Sequence, residues 1–137
     1  MDWNTCLDKG VAKEIKPDEE MANSILSSSD NKIKSADLLE TSKITAGSKL
    51  SLAYDALREV LEALAIKHGY KIYNHECYTC FLEEVLKADK EATEFDGLRR
   101  IRNKVNYYGQ EISVDESNLL VERIKSLRKI IIKHLLR

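Results

Sequence analysis

The sequence predicts an all-α protein, an up-and-down bundle of about five helices. Three observations predict it. One proline and five glycines in 137 residues leave few breaks in the chain. Apolar residues recur at three- and four-residue steps from Leu50 to Leu64 and again from Leu120 to Leu135, the period of a helix face. No segment alternates with period two for long enough to make a strand, and short helix connections favour an up-and-down arrangement.

Composition narrows the function classes. At 137 residues the chain has a single-domain length, enough to bury one core. Charged residues make up 33% and apolar residues 43%, as in a soluble globular chain. Net charge is −1, from 22 Lys and Arg against 23 Asp and Glu, so no whole-protein basic field draws nucleic acid; such binding needs a local patch. No apolar run approaches the roughly 20 residues of a membrane span. The opening MDWNTCLDKG is acidic and lacks the apolar stretch of a secretory signal, so the expected location is the cytoplasm, with no membrane partner.

Residues 1–16 are poorly patterned, and one bundle domain is expected over 17–137. Pro17-Asp18-Glu19-Glu20 reads as a helix start, with acids at the positive end of the dipole. That helix extends to about Glu40, but Ser27-Ser28-Ser29-Asp30-Asn31 in its middle is a poor helix former and a candidate break. Leu50, Ala53, Leu57, Val60, Leu61 and Leu64 mark the central helix, which Lys67-His68-Gly69 ends. Gly69 to Asn74 is a loop. His75 to Lys87 reads as a short helix burying Cys77, Phe81, Leu82, Val85 and Leu86. The next helix starts between Glu91 and Gly97 and runs to Tyr108, with Asp96-Gly97 its weak point. The last runs from about Val114 to Leu136.

Three cysteines, Cys6, Cys77 and Cys80, form no disulfide framework, since their number is odd and their density low. Cys77-Tyr-Thr-Cys80 is a C-x-x-C, but a zinc site needs about four ligands and no second pair exists. No metal and no cofactor are expected. The thiols read as small apolar groups packed on a helix.

The stretch 98–109, LRRIRNKVNYYG, packs four cations, two asparagines and two tyrosines into one helix end. At roughly 100° per residue, Leu98, Ile101, Val105 and Tyr108 share a core face. Arg99, Arg102 and Asn106 form its flank, and Arg100, Asn103 and Tyr107 lie opposite. Gly109 then serves as a left-handed cap. An aromatic among arginines outside the core face suits an arriving ligand or subunit. The plainer reading is a solvated face with tyrosines packed at a helix end.

On these residues the chain resembles the HEPN superfamily (higher eukaryote and prokaryote nucleotide-binding domains) from about Pro17 onward. The resemblance is carried by the alanine- and leucine-rich helix ending HGYKIYNHE, the short helix after it, the helix ending RNKVNYYG and the long last helix. The family signature is an arginine, usually followed by a polar residue, and then a histidine. Arg102-Asn103 matches its first half, whereas Tyr107 occupies the histidine position; none of His68, His75 and His134 fits that spacing.

The resemblance implies a homodimer whose signature helices line a cleft between two copies. It implies a nucleotide- or RNA-binding site formed by Arg99, Arg102, Asn103, Asn106 and Tyr107. It also implies a nucleotidyltransferase-like partner protein, as in two-gene systems of toxin–antitoxin type, where a tyrosine near the signature receives a nucleotide; Tyr107 and Tyr108 lie near it here. Many members are metal-independent ribonucleases, and Arg102, Asn103 and Tyr107 are the catalytic candidates in that reading. Tyrosine, with a pKa of about 10, is a poor base at neutral pH, so an impaired catalyst is expected. His75 reads first as a helix-start residue; a substitute acid–base group reaching the cleft is the lesser reading. A third reading is a ligand-free dimeric scaffold whose arginines pair with Glu83, Glu84 or Glu94.

Overall fold

A computed structural model describes residues 1–107 and 111–136, without the side chain of Tyr107. Tyr108 and Gly109, placed above on the core face and at a cap, lie outside the described residues, as does the Tyr107 side chain. The chain is a helical bundle with one small sheet. Its elements are α1 (Trp3–Asp8), β1 (Ala12–Glu14), α2 (Glu19–Leu38), α3 (Ala46–Lys67), β2 (Tyr70–Ile72), α4 (His75–Cys80), α5 (Asp89–Tyr107) and α6 (Val114–His134). A π-helical turn, Phe81–Val85, continues α4. No described helix is long and apolar enough to cross a membrane.

Helix α3 is the axis of the bundle. Leu50, Leu57, Val60, Leu61 and Leu64 are buried, as are Ala53, Ala56, Ala63 and Ala65, so the helix is covered on nearly every side. Its alanines let α2 approach closely through Ala22 and Ala36. Helix α6 meets α3 with Leu120, Ile124, Leu127 and Ile131, the predicted stripe. Phe95 and Leu98 of α5 join the same core.

The helix starts follow local chemistry. The Asp18 side chain accepts the Met21 N–H at 3.0 Å and caps α2. Ser113 does the same for α6 through the Glu116 N–H, at 3.1 Å. Helix α2 does not break at the serine run. Ser29 is fully buried there, its hydroxyl donating to the Ala56 carbonyl of α3 at 2.6 Å and accepting from Arg128 Nε of α6 at 3.0 Å. Tertiary hydrogen bonds outweigh weak propensity. Helix α5 likewise begins earlier than predicted, at Asp89, and carries Gly97 in its interior. Lys87, with φ of 57°, makes the turn between the π-helical segment and α5.

Residues 1–16 are ordered against the core, which raises the number of described helices to six. The expectation of no strand is corrected here. β1 pairs antiparallel with β2, Ala12 opposite Ile72 and Glu14 opposite Tyr70. Three residues per strand are too few for alternation to register in a sequence. Gly69, with φ of +86°, makes the turn from α3 into β2, and a Cβ there would lie 3.2 Å from the Ile15 carbonyl.

The cysteine reading is also corrected. Cys6 of α1 and Cys77 of α4 form a disulfide, and Cys80 keeps a buried thiol. Parity excluded a complete framework; it could not exclude one bridge with one cysteine left over. The neighbouring Trp3 ring is buried beside Tyr70 and Phe81, with centroids 5.2 and 5.5 Å away. The Trp3 N–H donates to Glu84 at 2.8 Å.

Candidate functional site

The first turn of α4 faces the middle of α5 across an open cleft lined by Tyr73, Asn74, His75, Glu76, Arg99, Arg102 and Asn103. The chain leaves β2 through Tyr73, and Asn74 caps α4 by accepting the Glu76 N–H at 2.8 Å. That cap makes His75 the first helical residue.

Tyr54 of α3 forms the floor behind His75. Its hydroxyl lies 3.1 Å from His75 Nδ1, within a hydrogen bond. The ring is fully buried and stacked on Phe95, with centroids 5.9 Å apart. The Arg102 guanidinium covers the Tyr54 ring, its carbon 4.9 Å from the centroid. Arg102 Nη2 also lies 3.9 Å from Asp55 Oδ1, a long ion pair. Arg102 is therefore packed on α3, with only 13% of its side chain exposed, rather than turned away from the core.

Arg99 and Arg100 share one carboxylate. Arg99 donates from Nε and Nη2 to Asp96 Oδ1, at 3.1 and 2.9 Å, and Arg100 Nε donates to Oδ2 at 2.8 Å. Thr79 Oγ1, from α4, adds a weaker bond to Oδ1 at 3.3 Å. Partial burial pushes the Asp96 pKa up, but the Arg99 bonds and the two cations outweigh it and hold the carboxyl below its usual range. Asp96, read from sequence only as a weak helix point, fixes where the arginines stand.

His75 is pushed down to about 4, first by burial and then by the charges of Arg58, Arg102 and Arg99, with Asp55 opposing. It is neutral at pH 7. Burial raises the Tyr54 hydroxyl above its ordinary range, with Arg102 opposing, so Tyr54 keeps its proton. Nδ1 of His75 is bonded to Tyr54, and Nε2 has no hydrogen-bond partner among the described residues. A neutral imidazole, two arginine side chains and an amide at one cleft can receive a phosphate group or move a proton beside it.

Arg99, Arg102 and Asn103 line the same cleft. Asn106 is not: it is exposed one turn further on, where its Oδ1 accepts from Ser51 of α3 at 3.2 Å. Tyr107 ends α5, and its side chain lies outside the described residues. Within the chain, two of the acids named as partners for the arginines are engaged elsewhere. Glu94 binds Arg123 at 3.0 Å and Glu84 accepts from Trp3, while Arg99 uses Asp96. A groove between α5 and α6 joins Leu119, Leu127 and Ile130 to charges of both signs, Lys90, Glu91, Glu94, Glu122 and Arg123, and so lacks the cationic bias of the cleft at α4.

Tyr54, Asp96 and Glu76 are the residues that sequence reading left out of the site, and His75 entered it only as a substitute group. Asn74-His75-Glu76 carries a usable signal, a cap followed by an acid at a helix start. Nothing local tells that this start faces α5. No family model, curated protein or solved structure matches this chain.

Proposed function

We propose that the cleft between α4 and α5 binds a phosphate-bearing ligand, a nucleotide or RNA, in a homodimer of the HEPN type. The observation that carries this reading is the convergence of Arg99, Arg102, Asn103 and His75 on one open cleft. Arginine forks suit phosphate oxygens, and the exposed Tyr73 ring at the rim offers a face for a base. A two-fold axis would bring two such clefts together, concentrating cations in a protein of net charge −1. A nucleotidyltransferase-like protein remains the partner this reading favours.

Fluorescence anisotropy with labelled single-stranded RNA, competed with mononucleotides, tests it. Loss of a charged hydrogen bond costs about 1.5–3 kcal/mol, so Arg102→Gln should weaken binding about 10- to 100-fold while circular dichroism stays unchanged. No binding by the folded wild type removes the reading.

His75 favours a second reading, a metal-independent endoribonuclease. The imidazole would take the 2′-hydroxyl proton while Arg102 stabilises the phosphorane charge. The sequence reading gives that role to Tyr107, whereas His75, neutral at pH 7, shares the cleft with Arg102 and Asn103. Structured RNA incubated in chelator decides between them. Cleavage that His75→Ala lowers by about 10²–10⁴, and Tyr107→Phe leaves intact, selects the enzyme with His75. Binding without cleavage leaves the ligand-binding reading alone.

A further inference from the structure

The three cysteines meet at one point in the fold. Cys6 and Cys77 are bonded, and Cys80 stands one helical turn beyond Cys77 on α4. Met1 touches both α4 sulfurs. Its Sδ lies 3.5 Å from Cys77 Sγ, and its carbonyl accepts from the Cys80 thiol at 3.4 Å. Side chains three apart on a helix have Cβ atoms about 5–6 Å from each other, and a disulfide needs roughly 3.5–4.5 Å. The remaining gap falls where the backbone is already irregular. Cys80 is the last α-helical residue before the π-helical turn Phe81–Val85.

We propose that Cys6, Cys77 and Cys80 form an internal thiol–disulfide exchange site that releases α1 from α4. The Cys80 thiolate attacks Cys77 Sγ along the axis of its bond to Cys6. The Cys77–Cys80 bond forms as the Cys6–Cys77 bond breaks. Cys6 leaves as a thiolate and takes up the proton that Cys80 gave up. No oxidant or reductant is consumed. Burial and the charge of Glu84 push the Cys80 thiol up, which keeps the attacking thiolate scarce while α1 is docked.

Exchange removes the covalent tie of α1 and leaves its noncovalent ones, the Trp3 ring against Tyr70 and Phe81 and the Trp3 N–H to Glu84. It also closes a new bridge within α4, two residues after His75. The docking of the N-terminal segment and the cleft-lining turn of α4 are thereby joined through one sulfur, Cys77.

The test uses the full oxidised chain, held at mildly alkaline pH without added thiol, quenched in acid at intervals, alkylated and digested with trypsin. Before exchange, fragment 1–9 is linked to fragment 72–87, and Cys80 carries the label. After exchange, Cys6 carries the label and 72–87 holds an internal bridge. Trp3, the one tryptophan of the chain, reports undocking as a red shift in emission. The expected result is that label transfer and red shift share one time course, independent of protein concentration, and that both vanish in Cys80→Ser. A Cys6–Cys77 link that never transfers overturns the proposal. So does a rate proportional to protein concentration, or a red shift that survives in Cys80→Ser. Cys6→Ser, treated with a mild oxidant, should close Cys77–Cys80; failure to close it also overturns the proposal.

Discussion

Nearly every side chain buried by α3 is apolar, and α2, α5 and α6 meet it with alanine, leucine, isoleucine and phenylalanine. The corner where α4 faces α5 is held differently. There a cap, a disulfide, a carboxylate shared by two arginines and a cation over a ring fix the geometry. The contrast lies in how each region is written in the sequence. The periodic stripe along α3 marks its buried face locally. The corner depends on pairs far apart in the chain, 21 residues for Tyr54 and His75, 71 for Cys6 and Cys77, 81 for Trp3 and Glu84. Apolar packing makes the body of the bundle, and polar and covalent pairs hold the residues that line the cleft.

The largest expected effect breaks the body. Leu61 is fully buried at the centre of α3, and Leu61→Ala should cost about 3–5 kcal/mol through lost burial and the cavity left behind. Urea unfolding followed by circular dichroism and by Trp3 fluorescence measures it. Coincident transitions would mean that the corner melts with the body. An earlier Trp3 transition would instead make α1 and α4 a separate unit of lower stability, sharpening the comparison.

Ser29→Ala sets two rules against each other. Helix propensity alone favours alanine by about 0.5 kcal/mol. The buried hydroxyl, however, bonds the Ala56 carbonyl and receives Arg128 Nε, and leaving Nε without that acceptor costs about 1–3 kcal/mol even while Asp30 still pairs with the guanidinium. The net expectation is a loss of about 1–2 kcal/mol by chemical denaturation. A gain would mean that solvent satisfies Arg128 and that the hydroxyl is incidental.

The same serine shows what a sequence displays and what it conceals. The faces of α3 and α6, the helix start around Asp18 and the turn at Gly69 are legible because each is written within a few adjacent residues. The serine run was misread as a break because its compensation comes from α3 and α6. Residues 1–16 looked featureless because Trp3 and Cys6 take their meaning from Tyr70, Phe81 and Cys77. In the site, Arg99, Arg102 and Asn103 were visible as one cluster on one helix. Their partners were not: His75 and Tyr54 arrive from other elements. Asn106 was grouped with Arg99 and Arg102 by angle, yet lies a turn further along α5 and meets Ser51 of α3.

The smallest effect in energy is the most informative about the cleft. His75 has its pKa pushed down to about 4 from the 6.5 of an unperturbed imidazole. As pH falls below about 6.5 the unfolded chain takes up this proton first. The stability that neutral His75 contributes is therefore fully present above that pH and is lost as pH falls toward about 4. Partial solvent access keeps the amount modest. Imidazole NMR resonances, assigned with His75→Gln, should give a midpoint near 4 in the free protein. Inorganic phosphate should raise that midpoint, because an anion beside the ring favours its charged form. A free midpoint near 6.5 would mean that neither burial nor the arginines bear on His75, and the corner would lose its claim to a tuned group. A low midpoint that phosphate leaves unmoved would keep the tuning but place the anion elsewhere.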